Sequence, residues 1–365
     1  MDIETKKRWS MLLKKSIESK RLTSDNNNTI LIVDGLNLFI RSFSVVPTVN
    51  DNGVHNGGLF GALNSLKSVI TKLQPNRCVI IFDGKGGSKK RRKLYPLYKN
   101  NRKGMKNLNR TFKWLNESQE EQSCKNQLIS FIEYLQFLPI TTFAVDNIEA
   151  DDAIAYLVTH IYNDKKYKKI IMSSDKDYLQ LVNDNVYLWS PIKKILYTPI
   201  KVEEEYELKP ENIIYWRILD GDKSDNIPGV KGWGKKTVLK LFGDFFKESE
   251  KTIEKPEFFN YIDYLYNETE KKTTKIKSLF ENKDILERNF KLMQLSDVDI
   301  SGTSKSLIID NTRNKQIPLL NQTKLKKIFM QDGLYSQIRN FNAWYSSFSL
   351  LNSSAKKFNN QLLKK

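Results

Sequence analysis

A chain of 365 residues has room for one large domain or two modest ones, with an ample core. Hydrophobic residues at 39% and aromatics at 11% exclude a disordered chain, and Lys+Arg 60 against Asp+Glu 42 gives a formal charge of +18, which favours nucleic acid or another anionic surface as partner. Cys78, Cys124, His55 and His160 are the only cysteines and histidines, too few for a disulfide framework, a zinc site or histidine-based catalysis. No apolar stretch approaches ~18 residues, so no membrane span is expected. Charges interrupt the N-terminus too often for a signal peptide, and a reducing, cytoplasmic setting is expected.

In chain order, residues 1–28 read as a basic helix. Trp9, Leu12, Leu13 and Ile17 recur at helical spacing, and residues 24–28 break the pattern like a linker. This extension is expected to pack as an appendage, with docking onto DNA or a partner as the alternative. A strand over 29–33 ends in Asp34-Gly35. Gly57-Gly58 introduces a helix over about 59–73, and a second strand over 79–82 ends in Asp83-Gly84. A helix over 128–137, a strand over 140–145, a helix over 150–161 and strands over 169–172 and 186–189 follow. Strands alternating with helices predict an α/β chain with a mostly parallel sheet covered on both faces. Beyond Tyr206 the pattern turns helical, predicting a helical subdomain over 207–345 and a basic tail over 346–365. Phe341, Trp344, Tyr345 and Phe348 are expected as core or docking aromatics.

Nine carboxylates stand at strand ends or in Gly-rich turns: Asp34, Asp83, Glu149, Asp151, Asp152, Asp175, Asp177, Asp222 and Asp225. In an α/β protein the ends of parallel strands open onto the ligand crevice. Singly, an Asp-Gly after a strand is an ordinary turn, and one acid at the start of the 150–161 helix is an ordinary cap. Three acids within Glu149-Ala150-Asp151-Asp152 exceed what a cap needs, and their mutual repulsion is relieved best by a cation. Ser173-Ser174-Asp175-Lys176-Asp177 repeats the logic. Carboxylate oxygens gathered in this way suit small, hard divalent ions.

Two further segments carry positive charge. Gly232 and Gly234 form a tight hairpin before a helix over about 238–242, where the backbone can approach a phosphate closely, with Lys235, Lys236 and Lys240 beside it. Between Lys85 and Lys113 lie twelve Lys/Arg residues and no acid, interleaved with Tyr95, Tyr98, Phe112 and Trp114. A one-sign run of this length suggests a polyanion contact, with the aromatics stacking on unpaired bases. Its like charges and few apolar side chains predict a segment that orders only around a bound strand.

With those residues laid out, the chain resembles the 5′ nuclease family, which includes bacteriophage 5′→3′ exonucleases, flap endonucleases, phage ribonuclease H and the N-terminal nuclease domain of bacterial DNA polymerase I. The resemblance is carried by residues 32–37 (I-V-D-G-L-N), 81–84 (I-F-D-G), 94–102 (L-Y-P-L-Y-K-N-N-R), 148–152 (I-E-A-D-D), 173–177 (S-S-D-K-D) and 221–234 (G-D-K-S-D-N-I-P-G-V-K-G-W-G). It implies a PIN-like fold over 29–206 with a helical arch at about 85–125, and a helix–hairpin–helix-like element, Gly hairpin 229–237, within the helical subdomain. By that resemblance, Asp34, Asp83, Glu149 and Asp151 would hold one metal ion. Asp152, Asp175, Asp177, Asp222 and Asp225 would hold or orient a second. The ions would be Mg²⁺, with Mn²⁺ able to substitute, and a K⁺ ion would sit at the Gly hairpin.

Lys99, Arg91 and Arg102 would contact the scissile phosphate. Tyr98, Lys103, Lys106, Arg110, Gly232, Gly234, Lys235 and Lys236 would contact DNA. The implied activity is a structure-specific 5′ nuclease on 5′ flaps, nicked duplex or RNA primers, with an RNase H activity as a further possibility. The implied partners are DNA and a replication protein such as a single-strand-binding protein or sliding clamp, with the chain acting as a monomer. No polymerase-like segment follows, so a free-standing nuclease is expected. A catalytically silent binding module on the same fold is the alternative from another class, but such a relative tends to lose carboxylates and all nine positions are filled. A PIN-type RNA endonuclease is a further alternative, against which the Gly hairpin argues for duplex DNA.

Overall fold

The run Ile30, Leu31, Ile32, Val33 is apolar on both faces, and it forms the central strand β1 (Thr29–Asp34), buried except at its last residue. In the computed structural model, which describes residues 28–102, 108–114, 116–248, 252–268 and 273–364, β1 is flanked by β2 (Arg77–Asp83) and β4 (Lys168–Met172), both parallel to it. β3 (Thr141–Val145) and β5 (Val186–Ser190) extend the parallel sheet on either side, and the short β6 (Ile195–Tyr197) closes one edge antiparallel, giving the order β3-β2-β1-β4-β5-β6. The chain builds outward from β1 in one direction, then crosses to β4 and builds in the other. The switch point therefore lies between β1 and β4, where a crevice opens beyond the strands' carboxyl ends.

Side chains of β1 alternate between two cores. Ile30 and Ile32 join Val79, Ile81, Ile154, Leu219, Phe242 and Leu286, while Leu31 and Val33 join Ile80, Phe39, Leu63 and Phe131. Helices Gly35–Val45, Gly57–Leu73 and Glu117–Leu135 cover the second face. The helix Ala150–Tyr156, which passes into a π turn at Leu157–Ile161, lies on the first.

Among the elements that differ from the sequence expectation, three shape the core. The Asp34-Gly35 pair starts the helix Gly35–Val45 directly, with Asp34 as its cap. A Cβ on Gly35 would meet the Phe82 ring at 2.7 Å, so the glycine serves a close approach. Helix Glu117–Leu135 begins well before residue 128, because its first turns are polar and Asn116 caps them, accepting from the Gln119 N–H. The expected basic tail contains the helix Ser349–Leu362. Leu351 and Ala355, one turn apart, are buried at its inner face, and Leu351 shares a core with Leu31 and Val33.

Asn359 fixes that helix by accepting from Ile317 N (2.8 Å) and donating to Ile317 O (2.9 Å). Phe341, Trp344 and Phe348 are core residues of the same face, so residues beyond about 317 return to the central sheet rather than extending the helical subdomain. The expected N-terminal helix lies outside the described residues, save Asn28. No helix among the described residues is long and apolar enough to cross a membrane.

Candidate active site

Asp34 and Asp83 end adjacent parallel strands. Asp34 lies in register with Ile81, so both carboxylates leave the same sheet edge. Asp34 accepts from the Asn37 N–H at 3.0 Å, and Asp83 accepts from the Ala150 N–H at 2.7 Å. That second bond ties the end of β2 to the helix start that carries Glu149, Asp151 and Asp152. After β4, Asp175 caps the 3₁₀ turn Lys176–Leu181 by accepting from the Asp177 N–H at 2.9 Å. A two-stranded hairpin, Gly221–Asp222 with Ile227–Pro228, brings in Asp222 and Asp225. Gly221 at φ +76° turns the chain there, and a Cβ on it would lie 2.3 Å from Gly229 N.

Seven of the nine acids, Asp34, Asp83, Glu149, Asp151, Asp175, Asp177 and Asp225, line one small cleft of about 50 Å³ at the switch point. Asp152 and Asp222 do not line it. Asp152 holds the Arg91 guanidinium through both carboxylate oxygens at 2.8 and 2.9 Å, and Asp222 accepts from Arg217 Nη2 at 2.5 Å.

Arg217 escaped the sequence reading. It is buried and reaches Asp177 through Nε at 2.7 Å, so it bridges Asp177 in the turn after β4 and Asp222 just past its own helix. The available signal was a lone arginine inside the apolar run I-I-Y-W-R-I-L, one helical turn before Gly221-Asp222.

The electrostatics follow from burying many carboxylates around few cations. Burial carries Asp34 up to about 7, with the charges of Asp83 and Asp175 adding to the effect. Burial carries Asp177 up to about 7 against the pull of Arg217. Asp151 and Asp225 are raised by burial as well. Glu149 goes the other way: burial would raise it, but the Arg91 and Lys99 charges hold it below the ordinary range.

The basic residues fall into different roles from those expected. Arg91 does not face an open phosphate site. It is buried, donates to Glu149 (2.8 Å), Asp151 (3.2 Å) and Asp152, and gives its Nε to Leu292 O (2.9 Å), so it clamps the acids. Tyr98 is likewise corrected: at 2% exposure its ring is closed to a base, and its hydroxyl lies within hydrogen-bond distance of both Glu149 (2.8 Å) and Asp225 (3.1 Å), with one hydrogen to share between them. Lys99 lines the cleft and reaches Glu149 Oε1 at 2.7 Å. Arg102, half exposed, also lines the cleft and pairs with Asp225.

Of the remaining rings in the basic stretch, Tyr95 lies under the Arg288 guanidinium, and Phe112 and Trp114 pack with His55. Each ring therefore has a partner in the protein, and the described part of this stretch is anchored without a nucleic-acid strand. Among the described residues it contains the helix Lys89–Leu94, and the expected arch, reaching to about 125, also takes in the first turns of Glu117–Leu135. Arg110 is exposed and does not line the cleft. Lys103 and Lys106 lie outside the described residues.

At the hairpin, Gly232 (φ +84°) is exposed with open space about it, whereas Gly234 is under no steric demand. Trp233, buried against Phe242, holds the hairpin to the helix Lys235–Glu248. Lys235 turns back to Glu205 O (3.2 Å) and Glu207 (3.5 Å), while Lys231, Lys236 and Lys240 are exposed.

A donor set made wholly of carboxylate oxygens, with Asp34 and Asp177 pushed toward neutrality, fits divalent cations. Among the described residues, no three acids close to the spacing of a single ion's ligand shell. Arg91, Lys99 and Arg217 hold several of them instead, as bonded above.

The 5′-3′ exonuclease, N-terminal resolvase-like domain family matches residues 29–207. A 5′-3′ exonuclease of Aquifex aeolicus is 33% identical over 219 residues, 59% of this chain and 70% of that protein. The flap endonuclease Xni of Shewanella woodyi is 30% identical over 269 residues, 73% of this chain and 93% of that protein. Among solved structures, the bacteriophage T5 flap endonuclease in complex with DNA and metal ions shares the fold at a TM-score of 0.58 and 22% identity, covering 84% of this chain and 99% of that one.

Sheet order, acidic cleft and relatives together define an enzyme, a structure-specific 5′ nuclease of PIN-like fold. Within that class, the chain belongs to the 5′-3′ exonuclease family.

Proposed function

We propose that the cleft hydrolyses phosphodiesters in 5′ flaps, nicked duplexes and RNA-primed duplexes during replication or repair, using two divalent ions, Mg²⁺ by preference and Mn²⁺ as a substitute. The observation that carries this reading is the convergence of seven carboxylates on one cleft of a +18 chain. Asp34, Asp83, Glu149 and Asp151 hold one ion; Asp175, Asp177 and Asp225 hold the other. Bound ions supply an activated water and neutralise charge on the attacking and leaving oxygens. Lys99 and Arg102, the two cations on the cleft wall, neutralise the scissile phosphate. Asp152 and Asp222 act one step back, orienting Arg91 and Arg217.

The hairpin at Gly232 grips duplex through backbone N–H groups and Lys231, Lys236 and Lys240, and a K⁺ ion on its carbonyls would stiffen it. The chain acts as a monomer in the cytoplasm, on DNA presented by a replication protein such as a single-strand-binding protein or a sliding clamp. Incubating the protein with 5′-flap, nicked and RNA–DNA duplexes in Mg²⁺ or in EDTA tests the reading. Cleavage near the junction in Mg²⁺ alone is expected, and equal cleavage in EDTA would refute the metal mechanism.

A further inference from the structure

On the far side of Arg91 from the acidic cleft lies a second cavity, about 500 Å³ in volume. It sits between the helix Lys89–Leu94, the loop of Asn147 and Ile148, and the chain that follows the helix Lys283–Met293. Arg91 is the partition. It bonds Glu149 and Asp151, which line the cleft, and Asp152, which lines the second cavity. Ile148, Val298 and Ile300 are buried in the cavity wall and make it apolar.

The charges in the lining do not cancel. Arg91 is matched by Asp152 and Lys90 by Asp299. Lys93 and Lys291 are exposed and have no ion-pair partner among the described residues. Two unmatched ammonium groups equal the charge of a phosphate monoester, about −1.5 to −2 at neutral pH. The volume falls in the range of small-molecule pockets, about 300–1,000 Å³. An apolar wall suited to a base and two cations suited to a phosphate therefore share a partition with the proposed hydrolytic cleft.

We propose that this cavity binds one nucleoside 5′-monophosphate unit, the piece released when a 5′-phosphorylated end is trimmed by one residue. The base lies against Ile148, Val298 and Ile300, and the phosphate meets Lys93 and Lys291. Product held here competes with the next strand end, so mononucleotides inhibit processive trimming. The ligand's identity rests on the nuclease reading; binding itself needs neither metal nor catalysis.

The test titrates the full chain, in EDTA, with dAMP, with inorganic phosphate and with deoxyadenosine. dAMP is expected to bind at least about tenfold more tightly than either fragment, because only dAMP engages wall and lysines together. Lys93→Glu with Lys291→Glu, surface changes that leave the fold intact, should each weaken dAMP by about tenfold, and Val298→Trp should fill the cavity and abolish binding. A 5′-phosphorylated trinucleotide that displaces dAMP would assign the site to a strand end; one that does not would assign it to free product. No dAMP binding, equal binding of inorganic phosphate, or wild-type binding by the double lysine variant would overturn the proposal. Flap cleavage in Mg²⁺ is measured on the same preparation. Protein that binds dAMP but never cleaves sinks the nuclease reading alone, and protein that cleaves but does not bind dAMP sinks the pocket alone.

Discussion

Lys99 is held over Glu149 by its backbone as much as by its charge. Its Nζ lies 2.7 Å from Glu149 Oε1, its N–H donates to Asp225 O at 2.8 Å, and its φ is +53°, in the left-handed region that lysine rarely adopts. Strain of this kind persists where the surroundings over-determine it, and it gathers at functional sites. Although burial alone would lower its pKa, the charges of Glu149, Asp225 and Asp151 raise it, so the cation is present throughout the working pH range.

Replacing this cation should act on chemistry rather than on affinity. Lys99→Ala is expected to reduce the single-turnover cleavage rate by about ten- to a thousand-fold, the scale of losing one charge-stabilising donor. Duplex affinity should change little. An unchanged rate with a steep loss of affinity would make Lys99 an ordinary phosphate anchor.

Metal-free protein should lose stability as pH rises. Asp34 and Asp177 are carried from the ordinary carboxylate value of 3.8 up to about 7, by burial first. Between those values the folded protein keeps protons that the unfolded chain releases. The associated stability is therefore fully present below about 3.8 and is lost as pH rises through about 7. Divalent ions bind the ionised form and remove the penalty. The gain in melting temperature on replacing EDTA with Mg²⁺ should grow from pH 5.5 to pH 8, and a gain independent of pH would contradict the assignment.

Arg217 is a buried cation between two acids, Asp177 and Asp222. Arg217→Ala leaves both without their partner, and breaking a buried pair in this way costs about 3–5 kcal/mol. Chemical denaturation should show that loss in EDTA. A change of less than about 1 kcal/mol, the level of a surface pair, would show that the bridge carries no stability.

At the hairpin, the structure separates two lysines that look equivalent in sequence. Lys235 already contacts Glu205 and Glu207, while Lys236 is exposed. Lys236→Ala should weaken every duplex alike and reduce the slope of log affinity against log salt by about 0.9, one phosphate contact. Lys235→Ala should do less. A sequence-dependent loss would contradict a backbone-reading hairpin.

The sheet and its acidic edge were legible because four-residue apolar runs followed by Asp leave few other structures open. β6 was not, since a three-residue edge strand with two half-buried positions carries little signal. Helix Gly35–Val45 hid behind an Asp-Gly pair that reads as a turn but serves as cap and close approach. The helix Ser349–Leu362 hid in Lys/Asn-rich sequence, where one narrow apolar stripe suffices to dock it. The inward turn of Arg91 and Tyr98 was illegible for a different reason. Spacing gives no sign that Tyr98 meets Asp225, 127 residues away, so a basic, aromatic stretch reads as a nucleic-acid surface even where its side chains complete the acid site.

The most direct measurement is single-turnover cleavage of a 5′-flap substrate by Asp151→Asn and Asp175→Asn, with DNA affinity and melting temperature recorded on the same proteins. Each removes one carboxylate charge from the proposed two-ion cleft, while the proposed duplex contacts, Lys231, Lys236 and Lys240 at the hairpin, lie outside it. Cleavage abolished in Mg²⁺, with near-normal affinity and an unchanged or raised melting temperature, is the expected result. Cleavage at the wild-type rate would contradict the metal assignment, and a collapse in melting temperature would show that these acids hold the fold instead.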